Sequence, residues 1–281
     1  MIRLDAEGYD YIDDPYQALR EIRAVKAQAD LLTFVQRPSD PLPGYSFHRE
    51  LDNFACLTVT SYDHWFSQQI DAKVRNMVRK AAKAGVTVRE VEFDDALVQG
   101  ISAIYNESPV RQGKRFWHYR KEIDEVRKMN GTFIERSIFI GAFLDGALIG
   151  FVKMVTTADR TLAGLMQILS MISQRDKAPT NALMAQAVKS CADRGIKHLF
   201  YANFSYGNKQ PDGLAEFKRH NGFEKVDVPR YYVPLTVVGW TALRLGLHHD
   251  VKSRIPEWIA MPYRKVRGAW YQRKLPKLKN A

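Results

Sequence analysis

The 281-residue sequence predicts an α/β fold in which one α+β mixed sheet carries helices on its faces, and three observations lead there. From residue 86 onward the apolar spacing alternates between helical and strand periods, giving the order β-α-α-β-β-β-α-β-α-β. Three strands follow one another in the middle, and the first turn, Asp145-Gly146, is a two-residue hairpin signal, so this part pairs antiparallel. The composition, 46% hydrophobic and 26% charged, is that of a chain able to bury a core. No run approaches the roughly 18 apolar residues of a spanning helix.

The elements follow from local pattern. Tyr16 to Ala29 reads as helix, Leu31 to Arg37 and Ala55 to Thr60 as strands, with a Pro-rich loop between them. Trp65, Phe66, Ile70, Val74, Met77, Val78 and Ala81 recur at helical spacing until Gly85, with Lys73, Arg75, Arg79, Lys80 and Lys83 on the opposite face. Val86 to Val91 alternates as a strand. Asp94 and Asp95 open a helix through Tyr105, and a further helix is expected from about His118 to Met129. SIFIGAFLD, ALIGFVKMVTT and TLAGLMQILSMIS are the three central strands. A helix from about Thr180 to Arg194 follows, then the strand IKHLFYANF, a short helix from Gly213 to Asn221, and the extended run FEKVDVPRYYVPL. This divides the chain into an N-terminal extension (1–62), a core (63–235) and a tail (236–281).

Charge is unevenly placed. The chain carries +11, of which +8 lies from Arg244 onward, where ten basic residues face only Asp250 and Glu257. That segment also holds Trp258, Tyr263, Trp270 and Tyr271, so it suits either docking on the core or peripheral contact with an anionic membrane. The acidic N-terminus lacks the apolar centre of a signal peptide, and Cys56 and Cys191 have no metal or redox spacing; the expectation is a cytoplasmic protein, with peripheral contact at the inner membrane face through its tail as an option. No metal site is expected, because His248 and His249 are adjacent and no third ligand lies nearby in sequence.

The element order, with a helix opening directly off the long fourth strand of the core, resembles the GNAT N-acyltransferase superfamily over residues 86 to about 235. Its phosphate loop, Gln/Arg-x-x-Gly-x-Gly/Ala, is matched in spacing by Arg175, Ala178 and Thr180, with both glycines replaced and Pro179 removing one amide donor. The resemblance implies an acyl-coenzyme A co-substrate, acetyl-CoA above all, held by Ser173, Arg175, Lys177, Ala178, Thr180 and Asn181 at a helix N-terminus. Thr180 or Asn181 reads equally as a plain helix cap. KVRNMVRKAAKAGVTVREV and GLAEFKRHNGFEKVDVPRYYVPL are similar to the Fem-type peptidoglycan aminoacyl transferases, which take their acyl group from aminoacyl-tRNA and hint at a cell-envelope or polysaccharide acceptor.

Acyl transfer needs a neutral nucleophile, a polarised carbonyl and a proton for the leaving group. The fourth core strand offers Gln167, Ser170 and Ser173 in place of the family's usual Glu, and Phe217 stands where the family's acid Tyr is expected. Tyr201, Asn203 and Tyr206, at the end of the next strand, are the candidate replacements, with packing aromatics as the alternative. The loop after the first core helices gathers Asn106, Arg111, Arg115, Trp117, His118 and Tyr119. His118 is there the candidate base and the others the candidate binders of a small-molecule amine acceptor. The missing family residues leave a non-catalytic binding protein on the same scaffold as the contrasting reading.

Overall fold

The computed structural model describes residues 1–4, 7–38, 44–111, 114–205 and 213–249. The chain begins with β1 (Ile2–Arg3), α1 (Pro15–Ala24), β2 (Leu31–Val35), β3 (His48–Thr58), α2 (Tyr62–His64), α3 (Ala72–Lys83), β4 (Thr87–Val91) and α4 (Asp95–Asn106). A two-residue ribbon, β5 (Val110–Arg111) with β6 (Lys114–Arg115), precedes α5 (Ile123–Asn130), β7 (Ser137–Leu144), β8 (Ala147–Thr156) and β9 (Leu162–Ser170). The rest is α6 (Pro179–Asp193), β10 (His198–Asn203), α7 (Gly213–His220), β11 (Glu224–Pro234) and α8 (Val237–Arg244).

Nine strands form one mixed sheet in the order β1-β2-β11-β3-β10-β9-β8-β7-β4. Alternation along β7 and β8 explains how both faces are covered. Ile138, Ile140, Ala142, Val152 and Met154 join Leu183, Met184, Ala187 and Val188 of α6 and Val74 and Ala81 of α3 in one core. Phe139 and Phe151 point the other way, to Leu97, Val98, Ile101 and Ile104 of α4 and Val126 of α5. Each such buried Val, Leu, Ile, Met or Phe side chain contributes roughly 1.5–3 kcal/mol, and each alanine less. The expected hairpin between β7 and β8 is present, with Asp145 and Gly146 both at positive φ (50° and 80°), as its turn requires.

Three local expectations change. The single helix read from Trp65 to Gly85 is broken. A π-turn covers Trp65–Gln69, Ile70 is extended (φ −103°, ψ 152°), and α3 starts afresh. The buried Trp65 is held in that turn by donating Nε1–H to Asn221 O at 3.0 Å, and Arg75 donates to Ile70 O at 2.6 Å, satisfying a carbonyl the break exposes. The helix expected from His118 begins only at Ile123, because Arg120 is left-handed (φ 63°). The first 62 residues supply β1, β2 and β3, and β3 lies inside the sheet between β10 and β11.

Candidate active site

The site begins where two neighbouring strands part. β10 runs parallel to β9 only through His198↔Leu162, Leu199↔Ala163 and Phe200↔Gly164. Beyond Phe200 the register of β10 against β3 shifts and Ala202 turns left-handed (φ 46°). Such a bulge bends the strand, here away from Leu165–Ser170 of β9. The gap is a cavity of about 430 Å³. Its walls are Ile168, Leu169 and Ser170 on β9, Tyr201 on β10, Leu214 and Phe217 on α7, and Arg111, Lys114, Arg115 and Phe116 from the β5–β6 ribbon.

The amino end of α6 reaches the same opening through Arg175 and Thr180. Residues Arg175–Lys177 form a 3-10 turn. Ala178 takes the left-handed conformation (φ 54°, ψ 41°) that a glycine would adopt without strain, and Pro179 is the first helical residue. Thr180 Oγ1 and Ser170 Oγ are 2.8 Å apart, pinning the helix start to the end of β9. The backbone amides of this bend are largely committed. Ile172 and Ser173 donate to Glu107, at 2.6 and 2.8 Å. Arg175 donates to Ile172 O, Lys177 to Gln174 O, Ala178 to Arg175 O and Asn181 to Ala178 O, at 3.0–3.2 Å. Proline has no amide to offer.

Glu107, unremarked in sequence, is therefore the key to the loop. It also takes Ser173 Oγ–H at 2.7 Å and faces Arg111 Nη2 at 3.4 Å. Arg111 donates further to Ser170 O (2.7 Å) and Ile104 O (2.8 Å), with its guanidinium over the Phe116 ring. Its carbonyl bonds brace the cavity wall; only its buried Nε lacks a partner. Arg115 and Lys114 are exposed beside it. The i, i+4 spacing of Glu107 and Arg111 was the available signal for this pair.

His118 lies behind the cavity wall, buried, with its ring 4.4 Å from that of Tyr105 and 4.1 Å from that of Trp117. Its Nε2 is 3.3 Å from Gln167 Nε2, and Gln167 Oε1 accepts from Tyr105 Oη at 2.7 Å. Burial, reinforced by Lys121 and Arg111, pushes the imidazole down to about 4, so it is neutral and weakly basic near pH 7. Asn106 is turned to the loop, donating to Ser102 O and accepting from Arg120 N–H at 2.8 Å. Trp117 is exposed under Lys121, and Tyr119 lies beneath Arg120. Lys177 faces Asp176 at 3.6 Å. Asn203 O accepts from the fully buried Lys218, whose ammonium also sits 4.6 Å over the Tyr201 ring. Tyr206 lies outside the described residues.

No family model matches the chain, and no curated protein matches it in sequence. Solved structures do match in shape. FemX aligns at 10% identity over 78% of this chain and 69% of its own, with a TM-score of 0.53. L-PGS from Bacillus licheniformis aligns at 12% identity over 80% and 75%, TM-score 0.57. The C-terminal domain of a putative lysylphosphatidylglycerol synthetase from Agrobacterium fabrum aligns at 15% identity over 83% and 76%, TM-score 0.55. The chain shares the fold of these structures. Within that fold the parted strands, the cavity and the start of α6 fall together, which brings Arg111, Arg115, Arg175, Thr180 and Tyr201 to one place, with Asn106, His118 and Ser173 in the hydrogen bonds behind it.

Proposed function

We propose that this chain is an acyltransferase that works in the wedge between β9 and β10, moving an aminoacyl group from an ester on tRNA to an amine. The observation carrying this reading is the pairing of that wedge with a cationic rim, Arg111, Lys114, Arg115 and Arg175, while no carboxylate is among the described residues lining it. The three exposed cations, Lys114, Arg115 and Arg175, attract a polyanionic donor and hold the incoming amine neutral, since a nearby positive charge disfavours protonation. The nucleophile's lone pair is then free without a dedicated base, and positioning supplies much of the rate. Tyr201 is the phenol at hand to protonate the departing oxygen, and its phenolate then takes the proton that the attacking nitrogen loses. FemX and the lysylphosphatidylglycerol synthetases, by name, fit this class of transfer.

Acyl-coenzyme A is the second donor, favoured by the positive end of α6 with Arg175 and Lys177 beside it. The committed amides of Ile172, Ser173, Gln174, Arg175, Lys177 and Ala178 weigh against it, because a pyrophosphate cradle needs free N–H groups. Calorimetry with a non-hydrolysable aminoacyl-RNA minihelix and with acetyl-CoA separates the two. The expected result is minihelix binding that weakens steeply with salt and no response to acetyl-CoA. Binding of acetyl-CoA without RNA binding would reverse the choice of donor; binding of neither, with no acyl transfer to a panel of amines, would favour a non-catalytic protein. The anionic-membrane contact of the tail belongs to residues 250–281, outside the described residues, and liposome sedimentation of the full chain tests it. Among the described residues no helix is long and apolar enough to cross a membrane.

A further inference from the structure

Alternation along β3 puts His48 and Glu50 on one face of the sheet, next to Tyr232 and Arg230 of β11. The turn that follows α8 brings His248 and His249 to the same spot, with the His248 ring 4.6 Å from that of Tyr232. Three imidazoles then converge on one atom. Nε2 of His248, His249 and His48 lie 2.8, 3.3 and 3.5 Å from Glu50 Oε1. A carboxylate oxygen has two lone pairs, so it cannot accept well from three ring N–H groups at once. A shared cation would use all of them. Metal–ligand bonds of about 2.0–2.1 Å in tetrahedral geometry place neighbouring ligand atoms roughly 3.3 Å apart, close to the separations here. The donor atoms of His48, Glu50 and His248 all lie within 4.8 Å of one another.

A second observation points the same way. The His248 side chain is only 3% exposed, and its Nδ1 has no hydrogen-bond partner. A buried imidazole held on one side by a single carboxylate is poorly satisfied as a hydrogen-bonding group, but it is an ordinary metal ligand. We propose that His48, Glu50 and His248 form a divalent-metal site of the zinc class, with His249 or a water completing four-coordination. Two imidazoles and a carboxylate are a borderline donor set, suited to zinc and not to magnesium or calcium. The expectation of no metal site, drawn from the adjacency of His248 and His249, overlooked ligands two hundred residues away on β3. The site stands on the sheet opposite the β7–β8 side, and its ligands come from β3 and from the segment after α8. Zinc there would fasten that segment, from which the basic tail continues, onto the sheet.

The test uses the full chain stripped with EDTA and titrated calorimetrically with zinc chloride, with magnesium chloride as control. One zinc per chain is expected, with affinity falling at least a hundredfold in both Glu50→Gln and His248→Gln. At zinc one hundred times Kd the melting temperature should rise by about 5 °C in the parent chain and in neither variant. Cobalt(II) gives an independent reading on the unmutated chain, since a four-coordinate site yields intense visible bands. Absence of stoichiometric zinc binding, absence of those bands, or zinc affinity unchanged in folded Glu50→Gln would each overturn the proposal. None of these results bears on whether the β9–β10 wedge transfers acyl groups.

Discussion

Replacing Glu107 by Ala is the sharpest probe of the loop at the wedge. Its carboxylate accepts from Ile172 N–H, Ser173 N–H and Ser173 Oγ–H at 2.6, 2.8 and 2.7 Å. Hydrogen bonds to a charged acceptor contribute about 1.5–3 kcal/mol each, so their simple sum is about 4.5–9 kcal/mol. That sum is too large, because the Glu107 side chain is 15% exposed and Ser173 is exposed, so water re-solvates the Ser173 donors. What water restores poorly is the part-buried Ile172 amide and the Arg111 guanidinium, 11% exposed and left without its carboxylate. An unsatisfied buried donor costs about 1–3 kcal/mol. The expected loss is therefore about 3 kcal/mol, with Glu107→Gln, which keeps one acceptor oxygen, losing about half as much. Urea unfolding followed by circular dichroism measures it, as a midpoint lowered by about 1 M for an m value near 3 kcal/mol/M. A Glu107→Ala midpoint within 0.2 M of the parent would refute the claim that this carboxylate organises the loop.

The other predictions concern charge and protonation. His118, pushed down to about 4 from 6.5, binds a proton in the unfolded chain that the folded chain refuses. Stability should therefore fall as pH drops from 6.5 to 4, by on the order of 2–3 kcal/mol, and His118→Gln should flatten that slope in urea titrations. Lys153 is fully buried, donating to Asn130 O (2.8 Å), Thr132 O (2.6 Å) and Thr132 Oγ1 (2.9 Å), and burial lowers it to about 8 from 10.5. The unfolded chain holds that proton longer, so stability gains as pH rises from 8 toward 10.5, and Lys153→Met should remove the gain. Arg115→Ala and Arg175→Ala alter exposed side chains, so stability should stay within about 0.5 kcal/mol. Each should reduce the slope of log Kd against log salt for the RNA minihelix by about 0.7; an unchanged slope would place the nucleic acid elsewhere.

The order of the longer strands and helices from residue 86 onward was legible because most of them have a clean period and a clear stop; the β5–β6 ribbon and the late start of α5 at Ile123 were not. Leu183, Met184, Ala187, Val188 and Cys191 read as one face and are one buried face. The loop at Arg175–Thr180 was singled out only through the family resemblance, and in the structure Ala178, at a position where that family has glycine, takes the left-handed conformation. The break at Ile70 was not legible, since a π-turn keeps apolar residues near helical spacing while ending the helix. Nor was the place of β3, whose first half, His48 to Phe54, mixes charged and apolar residues without strict alternation.

Local periodicity thus determined the elements, the cationic bend and the cluster of basic and aromatic residues near it, because these depend on neighbours within one or two turns of chain. Only the tertiary structure decided which of them meet. The bulge at Phe200–Asn203 opens the wedge, Glu107 reaches across 65 residues to take the Ile172 and Ser173 amides, and His48 and Glu50 find His248 across 200. Contacts of that separation are set by sheet order and by how helices pack on it, and no local pattern carries them.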